Sequence, residues 1–113
     1  MNGMSRREIS PLKIQVSNLE ELVFLASSTH SSVIHLDEER KIAFSFLMPF
    51  AGMIPVIYFC KLDKLPEAKF AHANRITGKV RFSNELSAEP NETSILIVKI
   101  KSEDKLFDDE LEK

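Results

Sequence analysis

A chain of 113 residues, 43% of them apolar, is long enough for one hydrophobic core and too short for two. Fifteen Lys and Arg against seventeen Asp and Glu leave a formal charge of −2, which argues against binding nucleic acid through bulk positive charge. The one cysteine, Cys60, excludes an intramolecular disulfide framework, so stability has to come from packing.

Residues 1–10 are expected to be a flexible lead-in. Arg6 and Arg7 are followed by Ser10, Pro11, Lys13 and Gln15, which interrupt any apolar run of the length a secretory signal needs, so a cytoplasmic address is expected. Leu12 to Val16 has the content of a short strand. Ser17-Asn18-Leu19-Glu20 then reads as a capping box, in which a hydroxyl and a carboxylate satisfy the free amides at a helix start. Leu19, Leu22, Val23 and Ala26 recur at helical spacing behind it, predicting a helix from Asn18 to Ser28 that lies on a sheet. Ser32 to Leu36 reads as a strand, and Asp37-Glu38-Glu39-Arg40 as the charged turn of a hairpin.

The next 19 residues, Ile42 to Cys60, hold 15 apolar side chains and no charge. Basic residues flank them, which is the pattern of a membrane span. Pro49, Gly52 and Pro55 break that pattern, because a lone helix in hydrocarbon has no neighbour to replace its lost hydrogen bonds. Divided at the prolines, the window gives two strands, Ile42–Met48 and Val56–Cys60, the second apolar on both faces and therefore central. Between them lies Pro49-Phe50-Ala51-Gly52-Met53-Ile54-Pro55, a turn without one polar side chain.

Beyond Lys61, Leu65-Pro66-Glu67-Ala68 places a proline at a helix start and predicts a short helix from Pro66 to Ala73. Ile76 to Ser83 alternates as a strand with one wet face, and Leu86 to Thr93 reads as a loop. In the last strand Leu96, Val98 and Ile100 are expected inward and Ile95, Ile97, Lys99 and Lys101 outward. Leu106, Phe107 and Leu111 give the closing segment a narrow apolar stripe, read as a terminal helix, with 108–113 an acidic frayed tail. The expected fold is α+β: one domain over 11–107, with a mainly antiparallel sheet of five to six strands, an N-terminal helix, a short middle helix and a C-terminal helix.

Chemistry is thinly represented. His30, His35, His72 and Cys60 fit no zinc spacing, and no two of Gly3, Gly52 and Gly78 are close enough to cradle a phosphate, so neither metal nor cofactor is expected. Thr29-His30-Ser31-Ser32 lacks the nucleophile-elbow pattern, and Cys60 with His72 is only a nominal nucleophile and base. No catalytic residue is assigned. Lys61 to Ser83 carries six basic and two acidic residues; Arg75, Lys79 and Arg81, with Lys99 and Lys101 if their strands pair, would make a positive stripe for single-stranded nucleic acid. Phe70 and Phe82 are both expected on the apolar side, which leaves that stripe without an exposed ring for a base to stack on. The apolar turn is the stronger anomaly. Phe50, Met53 and Ile54 at a loop tip point to a non-catalytic module that self-associates as a homodimer or holds a protein partner. The basic stripe is the alternative.

Overall fold

The structure is a computed structural model that describes residues 12–47 and 55–100. Its elements are β1 (Leu12–Gln15), α1 (Leu19–Ser28), β2 (Val33–Asp37), β3 (Ile42–Leu47), β4 (Val56–Lys61), β5 (Phe70–Asn74), β6 (Val80–Ser83) and β7 (Glu92–Ile100). All the strands belong to one sheet, in the order β1-β4-β3-β2-β7-β5-β6.

Helix α1 starts one residue later than the capping box suggests. Asn18 is the cap, its side chain accepting from the Glu21 amide at 2.8 Å, while the Glu21 carboxylate accepts from the Ser17 amide at 2.9 Å. The capping side chains are thus Asn18 and Glu21 in place of Ser17 and Glu20, with Glu21 closing on the amide that precedes the cap. At the other end His30 takes the left-handed conformation (φ 63°), and the amides of His30 and Ser31 donate to the carbonyls of Ser27 and Ala26. That closes the helix as a Schellman motif, at a position where glycine is the usual occupant.

The sequence expectation of a mainly antiparallel sheet with three helices is overturned. Seven strands and one helix stand among the described residues, and the sheet is mixed, because β1 runs parallel to β4 and β2 parallel to β7. The segment from Pro66 to Ala73 is the clearest correction: Phe70–Asn74 is strand β5, fully paired between β6 and β7. Pro66 starts no helix, because Ala71 and Ala73 are small enough to lie under α1 and His72 finds partners only on the sheet's other face. Propensity yields here to tertiary pairing. The expected strand Ile76–Ser83 shortens to Val80–Ser83, and residues 74–79 form the turn, with the Asn74 side chain accepting from the amides of Ile76 and Thr77. The expected terminal helix and acidic tail, and the flexible lead-in, lie outside the described residues.

The register divides the sheet into two faces. Under α1, Leu22, Val23 and Ala26 meet Ile34, Leu36, Ala43, Cys60, Ala71, Ala73, Ile95 and Ile97. The expected sidedness of β7 is therefore reversed: Ile95 and Ile97 are buried beneath the helix, and Leu96 is 41% exposed. Both sets of positions are apolar, so alternation alone could not orient the strand. On the opposite face a second cluster forms from Ile42, Phe44, Ile57 and Phe59, with Ile100 packed against it.

Candidate interaction surface

The apolar turn 49–55, with Phe50, Met53 and Ile54, lies outside the described residues except Pro55, but its roots are described. β3 and β4 pair to Leu47↔Val56, and the Leu12 amide donates to the Pro55 carbonyl at 2.8 Å, tying β1 to the same end of the sheet. At that end Leu12 is 54% exposed and Phe46 37%. These are large apolar groups that the sheet leaves in water.

The two lie on opposite faces, since Leu12 is in line with Val16 on the helix side, and it is from Phe46 that the register extends an apolar row across the helix-free face. Phe46, two residues beyond the His35↔Phe44 pair, comes level with Val33; Val33 pairs with Leu96, and Leu96 with Phe70. A row of four apolar side chains thus crosses β3, β2, β7 and β5, with Phe46 and Leu96 the most exposed. A groove of about 450 Å³ lies at its β5–β7 end, lined by Phe70, Leu96 and Val98 together with Lys69 and Lys99. At the β3 end is a cavity of about 390 Å³ lined by Thr29, His30, Ser31, Ser32, Val33, His35 and Phe46. Sequence reasoning missed Val33, Leu96 and Phe70 because only the pairing register brings them level.

The histidine and hydroxyl cluster at Thr29–Ser32 does reach one cavity, and two of its hydroxyls are engaged. Thr29 Oγ1 donates to the Leu25 carbonyl at 2.9 Å, and the Ser31 and Ser45 hydroxyls bond each other at 2.7 Å. His35 stacks on Phe44 with centroids 5.2 Å apart and meets the edge of Phe46 at 5.6 Å. Burial lowers its pKa and keeps it neutral near pH 7. This is an aromatic wall.

His72 and Cys60 are not a nucleophile and base, because they lie on opposite faces of the sheet. His72 is fully buried; its Nδ1 is 2.8 Å from Ser94 Oγ, and its Nε2 is 3.0 Å from Ser83 Oγ and 3.1 Å from the Glu85 carbonyl. The carbonyl can only accept, so Nε2 carries a proton. Cys60 sits beneath α1, where desolvation pushes its thiol up to about 11. No group of three or more metal-ligating side chains occurs among the described residues.

Among the described residues, the basic side chains do not assemble into one stripe. Arg81 grips Glu92 with two bonds of 2.9 Å and donates a third to the Ser87 carbonyl, holding the Glu92 carboxyl below its usual range. Lys99 emerges on the helix side of the sheet, paired with Glu38 at 3.3 Å, whereas Arg81 belongs to the other face. Arg75 and Lys79 are exposed at the β5–β6 turn, and Lys101 lies outside the described residues. Phe70 shares Arg81's face, and Phe82 packs on the helix side, correcting the expectation that both rings lie together. No described helix is long and apolar enough to cross a membrane, and the apolar window Ile42–Cys60 supplies β3 and β4. Comparison with protein-family models, with curated proteins and with solved structures gives no match to this chain.

Proposed function

We propose that this protein is a cytoplasmic, non-catalytic interaction module that forms a homodimer or holds a protein partner at the end of the sheet carrying the 49–55 turn. The observation that supports this is the exposure of Phe46 near the base of that turn, which joins an apolar sequence to an apolar group already in water. Contiguous patches of this kind on a small domain are covered by association. Phe46, Val33, Leu96 and Phe70 extend the contact over the helix-free face; Phe50, Met53 and Ile54 would provide its centre. Anchors of this type, large and apolar with few rotatable bonds, carry most of an interface's energy.

Light scattering on the purified chain tests the homodimer form. Wild type is expected at twice the chain mass, and Phe50→Asp with Met53→Asp, or Phe46→Asp alone, at the mass of one folded chain. A wild type that stays at 12.9 kDa at high concentration removes the homodimer and leaves the partner form. If the charged variants keep the wild-type mass, the contact lies elsewhere.

A further inference from the structure

β7 runs for nine residues, and neither neighbour covers all of it. β5 pairs with residues 92–96 on one side, and β2 with residues 96–100 on the other. On the β5 side the ladder stops at the Ile97 amide, which donates to the Lys69 carbonyl at 2.8 Å. The Lys69 amide does not return the bond, because it donates instead to Asn84 Oδ1 at 3.0 Å. Alternation along a strand turns the Ile97 carbonyl and the Lys99 amide to this same side. Neither has a hydrogen-bond partner among the described residues. Backbone groups within a sheet are almost always paired, so two open ones on an interior strand mark room for a further strand.

We propose that this open half of β7 takes up an extended peptide of a protein partner, one in which apolar and acidic residues alternate. The groove of about 450 Å³ runs along it, lined by residues 67–70, where the link meets β5, and by residues 96–99 of β7. An acyl chain would fill the groove and leave both backbone groups unmatched; an extended peptide satisfies them and fills it as well. Side chains on one face of the peptide meet Phe70, Leu96 and Val98, of which Leu96 is 41% exposed. Those on the other face emerge with Lys99, on the helix side of the sheet. The lining holds Lys69 and Lys99 against a single acid, Glu67. Lys99 is shared with Glu38, but the Lys69 side chain has no ion pair among the described residues, which favours an acidic peptide. In strand addition of this kind the main chain supplies affinity and alternate side chains supply specificity.

The slot goes beyond the association proposed above. It shares Phe70 and Leu96 with the far end of that contact and needs neither Phe46 nor the 49–55 turn.

A labelled octapeptide of alternating valine and glutamate, blocked at both ends, is the probe. Titrated into the full chain, it is expected to bind and to slow hydrogen exchange of the Lys99 amide severalfold. The Ile97 amide, already bonded to Lys69, should not change. Lys69→Glu and Leu96→Asp, both at exposed positions, are each expected to weaken binding severalfold. Phe50→Asp with Met53→Asp should leave it as in wild type, so that loss of the dimer and loss of the slot are read separately. N-methylation of the peptide at its valines, or at its glutamates, removes the donors along one edge or the other, and only one of the two peptides should lose binding. Equal loss in both, or in neither, overturns the proposal. So does the absence of binding at millimolar peptide, binding that leaves exchange at Lys99 unchanged, or binding that survives both Lys69→Glu and Leu96→Asp. A Lys99 amide already protected in the free chain also overturns it: protection lost on dilution makes a second copy the occupant, and protection lost in a chain ending at Lys101 makes it the chain's own end.

Discussion

His72 is enclosed by the sheet yet fully hydrogen-bonded, through Ser94, Ser83 and the Glu85 carbonyl. Truncation leaves those partners unsatisfied and opens a cavity, so His72→Ala is expected to cost about 3 kcal/mol in urea unfolding. A loss well under 1 kcal/mol would show that the network contributes little. Cys60 supplies a second residue-scale test. Its thiol, raised to about 11, should not react with a disulfide reagent at mildly alkaline pH until the chain unfolds. Acid stability depends on two other groups. The unfolded chain binds a proton on His35 from about 6.5 downward, while the folded chain resists, so stability begins to fall there. Glu92, held low by Arg81, gives stability that is present above its unfolded value of 4.5 and lost as pH drops through its folded one. Glu92→Gln should flatten the lower part of a plot of unfolding midpoint against pH and leave the part near 6 unchanged.

Elements set how much local sequence can specify. Helix α1 carries its own instructions: capping side chains at Asn18 and Glu21, a buried stripe of Leu22, Val23 and Ala26, and a Schellman stop. Asn18→Ala is expected to lower stability by about 1 kcal/mol. His30→Gly is expected to raise it by about 0.5–1 kcal/mol, because the left-handed residue at the stop then has no Cβ to strain. Thermal melts of the two variants should move in opposite directions. β5 is the opposite case, since Pro66-Glu67-Ala68 reads locally as a helix start. Its neighbours on both sides decide otherwise, and Ala73, enclosed under α1, has no room to grow. Ala73→Leu should cost about 1–3 kcal/mol through overpacking.

The whole molecule is built from distant pairings. β1 meets β4 through Leu12↔Val56, and β2 meets β7 through Val33↔Leu96, both parallel and both far apart in sequence. Closing such loops precedes any reward from the contacts, so refolding should fall in the millisecond-to-second range typical of sheet proteins. Stopped-flow refolding complete within the dead time of mixing would contradict that. The same pairings create the surface on which the functional proposal rests. Val33, Phe46, Phe70 and Leu96 are scattered along most of the described chain, and only the order β3-β2-β7-β5 lines them up.

The amino-acid sequence by itself determined what depends on short range. Helix α1, the β2–β3 hairpin and the division of the Ile42–Cys60 window into two strands all follow from capping, turn chemistry and proline, which act over a few residues. Tertiary structure decided the rest. Whether β7 buries Ile95 and Ile97 or Leu96 and Val98 turns on the position of α1, because both sets are apolar. Whether Arg81 and Lys99 form one positive stripe turns on which face each strand presents, and the pairing sends them to opposite sides. Parallel partners come from far along the chain, and a chain read in order carries no local signal for a neighbour as distant as Leu96 is from Val33.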